Sequence, residues 1–238
     1  MLNLVFTGFS LENATGGTAC PALILFDIDG TLVRRAGPHH RLALIGAIRQ
    51  VTGVETTTDG IPVHGMLDPD IIRLMLAAAG AHIDNDGDMS RIMDAAQDIY
   101  DATVPDDLRD KVCPGVVQLL DGLRENCVLA LVTGNLTRIG WRKLQRAGVD
   151  RYFRFGAFGE MASTRGGLAR LAIERARREG PIGRIALVGD APQDVRAAQE
   201  NGIRSIAVRT GVTPAGELEA CGPDCIYDDL TEFDLSII

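Results

Sequence analysis

The chain has 238 residues, 46% of them apolar, enough for one large domain or for a core carrying a smaller companion. Its formal net charge of −8 argues for solubility and against broad nucleic-acid or membrane binding. An anionic substrate would therefore need a local positive site, built from a metal ion and a few arginines.

In chain order, Met1–Ala19 has Gly, Thr, Asn and Ser among its residues and no basic start before its apolar ones. It makes a poor signal peptide, and residues 1–22 are expected to form a flexible extension. No run is long enough to span a bilayer. Leu23 to Phe26 is short, uncharged and bounded by Pro21 and Gly30, which suits a strand buried on both faces. It runs into Asp27-Ile28-Asp29-Gly30-Thr31. An Asp-Gly turn alone would explain that ending. In a parallel sheet, however, it puts two carboxylates at the edge where ligands bind. From Pro38 to about Val51, Leu42, Ile45 and Ile48 recur at roughly helical spacing, and Gly53 is placed to stop the helix. Asp68-Pro69 predicts a second helix, with Asp68 as N-cap and the proline at the first helical position. A third runs from about Ser90 to Thr103. No convincing strand interrupts Val33 to Asp110, so residues 34–110 read as a helical insert.

Cys113-Pro114-Gly115 returns the chain to its core, residues 23–33 and 111–238. Val116, Leu119, Leu120 and Leu123 form an amphipathic helix face. The strand Val128–Val132 ends in Thr133-Gly134-Asn135, and a helix from Thr137 to Ala147 is ended by Gly148. Tyr152–Phe158 is compatible with a strand or an aromatic loop. A basic helix spans Arg165 to Glu179. The strand Ile185–Val188 ends in Gly189-Asp190, followed by a short helix over Asp194–Glu200. Ser205–Val208 and Cys225-Ile226-Tyr227 supply further strands, with a helix after Thr213-Pro214. Strands alternating with helices predict an α/β fold: a parallel sheet, Rossmann-like, with helices on both faces. Five scattered cysteines argue against a disulfide framework and suit a reducing cytoplasm. Cys221 and Cys225 have a spacing seen in zinc sites, but no second pair accompanies them.

Three buried strands thus end in small or carboxylate residues. The set Asp27–Thr31 (DIDGT), Thr133–Asn135 (TGN) and Gly189–Asp194 (GDAPQD), in this order, resembles the haloacid dehalogenase-like superfamily. Most members are phosphatases of small phosphorylated metabolites, and the insert looks most like that of the phosphoglycolate phosphatases. The resemblance implies a helical cap over the site and a Mg2+-dependent reaction through an aspartyl-phosphate. It implies Asp27 as nucleophile and Asp29 as general acid/base. A carboxylate two positions on in an extended chain points to the same side, so the pair can converge on one phosphorus. With divided roles, Asp29 should have the higher pKa. Thr133, with backbone N–H groups near Gly134 and Asn135, would hold the phosphoryl group. Asp27, Asp190 and the Asp29 carbonyl would bind magnesium, with Asp194 orienting the metal's shell or binding it directly. For Asp194 a plain helix N-cap is the bland alternative.

The family usually adds a lysine between the second and third motifs. The lysine found there, Lys143, follows Asn135 too closely, and its neighbours suggest a solvated helix face. Arg165 sits where the family lysine is expected and is taken as its substitute. His39, His40, His64 and His82 all fall in the insert and each reads as ordinary, while Arg34, His39 and the His64–Asp68 stretch are weak candidates for substrate contact. The expected enzyme acts on a small phosphorylated metabolite, with no nucleic-acid or membrane partner, as a monomer or homodimer. A sugar-phosphate mutase of the same superfamily is the alternative enzyme. A non-catalytic binding or regulatory member is the alternative outside enzymes, and the intact Asp27, Asp29, Asp190 and Asp194 argue against it.

Overall fold

A computed structural model describes residues 20–34, 36–82 and 86–234; of the expected extension over residues 1–22, residues 1–19 lie outside them, and Ala22 belongs instead to the first strand. Six strands, all parallel, form one sheet: β1 Ala22–Phe26, β2 Cys127–Val132, β3 Phe155–Ala157, β4 Ile185–Gly189, β5 Arg204–Val208 and β6 Cys225–Tyr227. Their spatial order is β3-β2-β1-β4-β5-β6. The order reverses direction at β1, so β2 and β4 flank it on either side. This is the switch point where α/β sheets open a crevice beyond their carboxyl ends.

Eight helices are described: α1 His39–Thr52, α2 Asp68–Ala78, α3 Asp86–Thr103, α4 Val116–Leu123, α5 Thr137–Ala147, α6 Arg165–Glu179, α7 Pro192–Glu200 and α8 Ala215–Ala220. Alternation along β1 explains the layering. Leu23 and Leu25 pack with Leu168, Ala172 and Ile173 of α6 and Ala198 of α7. Ile24 and Phe26 face the other way, onto Leu120 of α4 and Ile139 and Leu144 of α5. Because both faces are covered, the strands carry continuous apolar runs.

The insert is α1–α3. Leu44, Ile48, Ile72, Met75, Ile92 and Ala96 join the same apolar cluster as the α4–α5 face of the sheet. Polar bonds tie α3 to α5: Arg142 Nε donates to Asp101 at 2.7 Å, and Gln97 Oε1 accepts from Arg138 N at 2.9 Å.

One local expectation is corrected, and two points left open by the sequence are settled. Asp68 does not cap its own helix; Leu67 is the N-cap, and the Asp68 carboxylate accepts instead from Leu136 N at 2.8 Å, at the start of α5. Tyr152–Phe158 resolves into a single turn over Asp150–Tyr152 and the short edge strand β3. Finally, α7 starts at Pro192, so Asp194 lies inside its first turn and is not its N-cap.

Candidate active site

The carboxyl ends of β1, β2 and β4 bring Asp27, Thr133 and Asp190 together, and α6 and α7 add Arg165 and Asp194. All five are buried. Asp27 continues the ladder of β1 through a bond from its N–H to Val188 O at 3.0 Å, which fixes where its side chain leaves the sheet. Arg165 opens α6, with Thr164 Oγ1 capping that helix by accepting from Gly167 N at 3.0 Å. Its guanidinium reaches over the end of β2. Nη1 donates to Asp27 Oδ1 at 3.1 Å and to Val132 O at 3.2 Å, and Nε lies 3.3 Å from Asp194 Oδ1, too bent for a hydrogen bond.

Oxygen atoms of Asp27, Asp190 and Asp194 all lie within 4.8 Å of one another. Burial pushes the carboxyl pKa of all three up; Arg165 offsets part of this, and repulsion among the carboxylates adds to it. Asp194 is pushed up to about 7. Two of their oxygens, Asp190 Oδ2 and Asp194 Oδ1, are buried and accept no hydrogen bond. Buried anionic oxygens without donors are costly, and a hard, oxygen-seeking cation would satisfy them. The donor set therefore fits magnesium. Gly30 belongs to the same construction: its φ is +86°, and a side chain there would run into the Asp190 carboxylate.

Asp29 lines, with Asp27, Thr133, Arg165 and Asp190, a cavity of roughly 1190 Å³ between sheet edge and insert. Its side chain is 44% exposed, whereas that of its partner Lys143 is 2% exposed. Lys143 is not on a solvated helix face, as its neighbours suggested. It shares the buried face of α5 with Ile139, Gly140, Leu144 and Ala147, and its Nζ lies 2.7 and 2.6 Å from the two Asp29 oxygens. Asn135 Nδ2 donates to Asp29 Oδ2 at 2.8 Å and to Thr133 Oγ1 at 2.7 Å. Burial raises the Asp29 pKa, but Lys143, with help from His40 and Asn135, outweighs it, and the carboxyl ends below its usual value. The expected order of the two aspartates is thus reversed: Asp27 is raised and Asp29 lowered. The ammonium beside Asp29 is the reason.

The insert supplies His40, His64, Asp68 and Tyr100 to the cavity wall. His64 Nε2 lies 2.7 Å from Thr213 Oγ1 and 3.5 Å from Asp190 Oδ2, and burial pushes its pKa down. Asp68 N donates to Gly134 O at 2.9 Å, pinning the Thr133–Asn135 turn to the insert. Arg34 lines the mouth and is exposed; His39 is not among the lining residues. Cys221 and Cys225 are free, and the acidic trio is the metal-ligating cluster found among the described residues. The eight residues singled out from the sequence do converge. Lys143, His40 and Tyr100 were missed. For Lys143 the signal was present, since a helical period from Ile139, Gly140 and Leu144 places it on the apolar face.

A buried acidic trio with a guanidinium, at the switch point of a parallel sheet beneath a helical insert, defines a hydrolase-type site in which one carboxylate can attack and another move protons. A family profile described as haloacid dehalogenase-like hydrolase matches residues 21–202. The chain belongs to that family of enzymes. It is 30% identical over 219 residues to a phosphoglycolate phosphatase of Agrobacterium fabrum, covering 87% of this chain and 88% of that one. A phosphoglycolate phosphatase 1 of Pseudomonas aeruginosa is 28% identical over 223 residues, 90% of this chain and 79% of that one. In fold it is similar to a β-phosphoglucomutase from Clostridium difficile, with a TM-score of 0.70 at 16% identity over 92% of this chain and 95% of that one. No helix of the described residues is long and apolar enough to cross a membrane.

Proposed function

We propose that the protein is a Mg2+-dependent phosphatase of a small phosphorylated metabolite, working through an aspartyl-phosphate on Asp27. The observation that carries this reading is the buried trio Asp27, Asp190 and Asp194 with Arg165 against it. Asp27, Asp190, Asp194 and the Asp29 carbonyl would hold the magnesium ion. Bound there, magnesium neutralises charge on the phosphoryl oxygens and lowers repulsion among the carboxylates.

The side chains divide the remaining work. Asp27 Oδ attacks phosphorus as the bond to the ester oxygen breaks, and Asp29, which must first take up a proton from solvent against the hold of Lys143, delivers that proton to the leaving oxygen. In the second half, the Asp29 carboxylate takes a proton from the water that attacks phosphorus. The P–O bond to Asp27 breaks, inorganic phosphate leaves and Asp27 is restored. Thr133 Oγ1 and the N–H groups of Gly134 and Asn135 hold the transferring group, and Arg165 offsets its charge. The insert, residues 34–110, acts as the cap that closes the cavity and selects substrate. The phosphoglycolate phosphatase relatives support a small phosphorylated metabolite as substrate, and the five free cysteines support a reducing, cytoplasmic setting.

The test is a screen of phosphorylated metabolites, phosphoglycolate among them, with magnesium and then with excess chelator. Release of inorganic phosphate that chelator abolishes is the expected result. Activity unchanged in chelator would remove the metal role of Asp190. Recovery of an isomerised ester in place of phosphate would move the reading to a mutase.

A further inference from the structure

The Lys143 ammonium has three N–H bonds to give and three acceptors around it. They are the Asp29 carboxylate at 2.6 and 2.7 Å, Asn135 Oδ1 at 2.7 Å and His40 Nδ1 at 3.2 Å. The His40 ring is oriented by its other nitrogen, which lies 2.9 Å from Asp68 Oδ2. In the neutral ring with its proton on Nε2, toward Asp68, Nδ1 keeps the lone pair that Lys143 needs. Asn135 is equally committed, since Oδ1 accepts from Lys143 while Nδ2 donates to Asp29 and Thr133. Asp29 therefore meets donors on both oxygens, and rotation about its Cβ–Cγ bond is blocked.

A stability role explains this poorly. Burying an ammonium is costly before its partners offset it, and an apolar side chain at the same place on α5 is often no worse. The exposures also run the wrong way for a core ion pair: the amine is enclosed, and the carboxylate it holds faces the cavity. The network spans two parts of the chain, with Lys143, Asn135 and Asp29 in the core and His40 and Asp68 in the insert.

We propose that Lys143 is a positioning residue whose three-way grip fixes the Asp29 carboxylate toward the leaving oxygen, with His40 of the insert completing the grip. The inference rests on the phosphatase reading and adds to it that the proton-transfer group is aligned jointly by core and cap. Arginine at 143 is a poor substitute, because a planar fork does not match three converging acceptors.

The test compares two esters, p-nitrophenyl phosphate and glycerol 2-phosphate, both with magnesium. An alkoxide leaving group needs a well-placed acid; a nitrophenolate scarcely does. Lys143→Met also removes the ammonium that lowers the Asp29 pKa, and that removal by itself favours the acid form, so a loss on the alkyl ester reports lost alignment. The expected fall in kcat/KM is about a hundredfold or more for the alkyl ester, the scale of a general acid's contribution, and no more than about tenfold for the aryl ester. His40→Phe should show the same imbalance, smaller, and His40→Gln, which keeps an acceptor and a donor, should recover part of it. Equal losses on both esters would overturn the proposal, as a purely structural role predicts. A readout free of turnover comes from acylation by acetic anhydride, since Lys111 and Lys143 are the chain's only lysines. Lys143 should be protected relative to Lys111 in the wild type and less so in His40→Phe; equal labelling in the wild type would also overturn the proposal. Absence of hydrolysis of either ester by the wild type would instead remove the phosphatase reading and this inference with it.

Discussion

Two cations divide the two aspartates of the first motif between them. Arg165 holds Asp27 and Lys143 holds Asp29, each through a bond of 3.1 Å or shorter. Arg165 was legible because its place in the chain, at the start of a helix before the Gly189-Asp190 strand end, matches where a family lysine is expected. Motif spacing points away from Lys143, whereas helical phase puts it on the buried face of α5. His40 and Tyr100 were not legible at all. They reach the cavity from α1 and α3, and no local pattern says which face of an inserted helix will meet a distant strand end. The Arg165 assignment predicts that Arg165→Ala lowers kcat/KM by roughly a hundredfold, the scale for one charged donor at a developing charge. Arg165→Lys should recover a good part, because it keeps the charge but loses the fork. Steady-state kinetics on correctly folded variants, checked by circular dichroism, decide it. Near-normal Arg165→Ala would leave Asp27 without the counter-charge assigned to it here.

Helices and strands of the core were legible because their apolar runs have the right period and their ends carry Gly or Pro. α5, α6 and β6 fall where the sequence places them. β3 was ambiguous because three buried residues at a sheet edge have no period to read. Asp68 shows a different limit. A carboxylate beside a proline at a helix start reads as that helix's cap, yet a longer-range donor, Leu136 N, takes it. The contact lies on the seam between insert and core, as does Gly134, whose Cα has no room for a side chain beside the Met66 carbonyl. Gly134→Ala should therefore force backbone to move and destabilise the protein by about 1–3 kcal/mol, the usual cost of overpacking. Denaturant unfolding measures it. An unchanged midpoint would show that the seam yields freely and that the insert is not held against the Thr133–Asn135 turn.

At the scale of the whole molecule, a chain with a net charge of −8 holds its phosphate-binding chemistry in one small place. The strand order puts β1 between β2 and β4, so residues about a hundred and sixty positions apart, Thr31 and Asp190, come within a hydrogen bond. The sequence could announce that convergence only through the resemblance of its motifs; spacing along the chain does not say which strands are neighbours. The charge inventory calls for a local cation and local arginines, and the proposed function places both at the acidic trio, where Arg165 lies against Asp27. The central claim is that Asp27 becomes phosphorylated in turnover. The most direct measurement quenches the enzyme in acid during hydrolysis of a phosphate ester with magnesium, reduces the trapped acyl-phosphate with borohydride and locates the resulting homoserine by peptide mass spectrometry. The account predicts that Asp27 alone is converted and that Asp27→Asn gives neither the conversion nor phosphate release. Conversion at another residue, or phosphate release by Asp27→Asn at the wild-type rate, would contradict it.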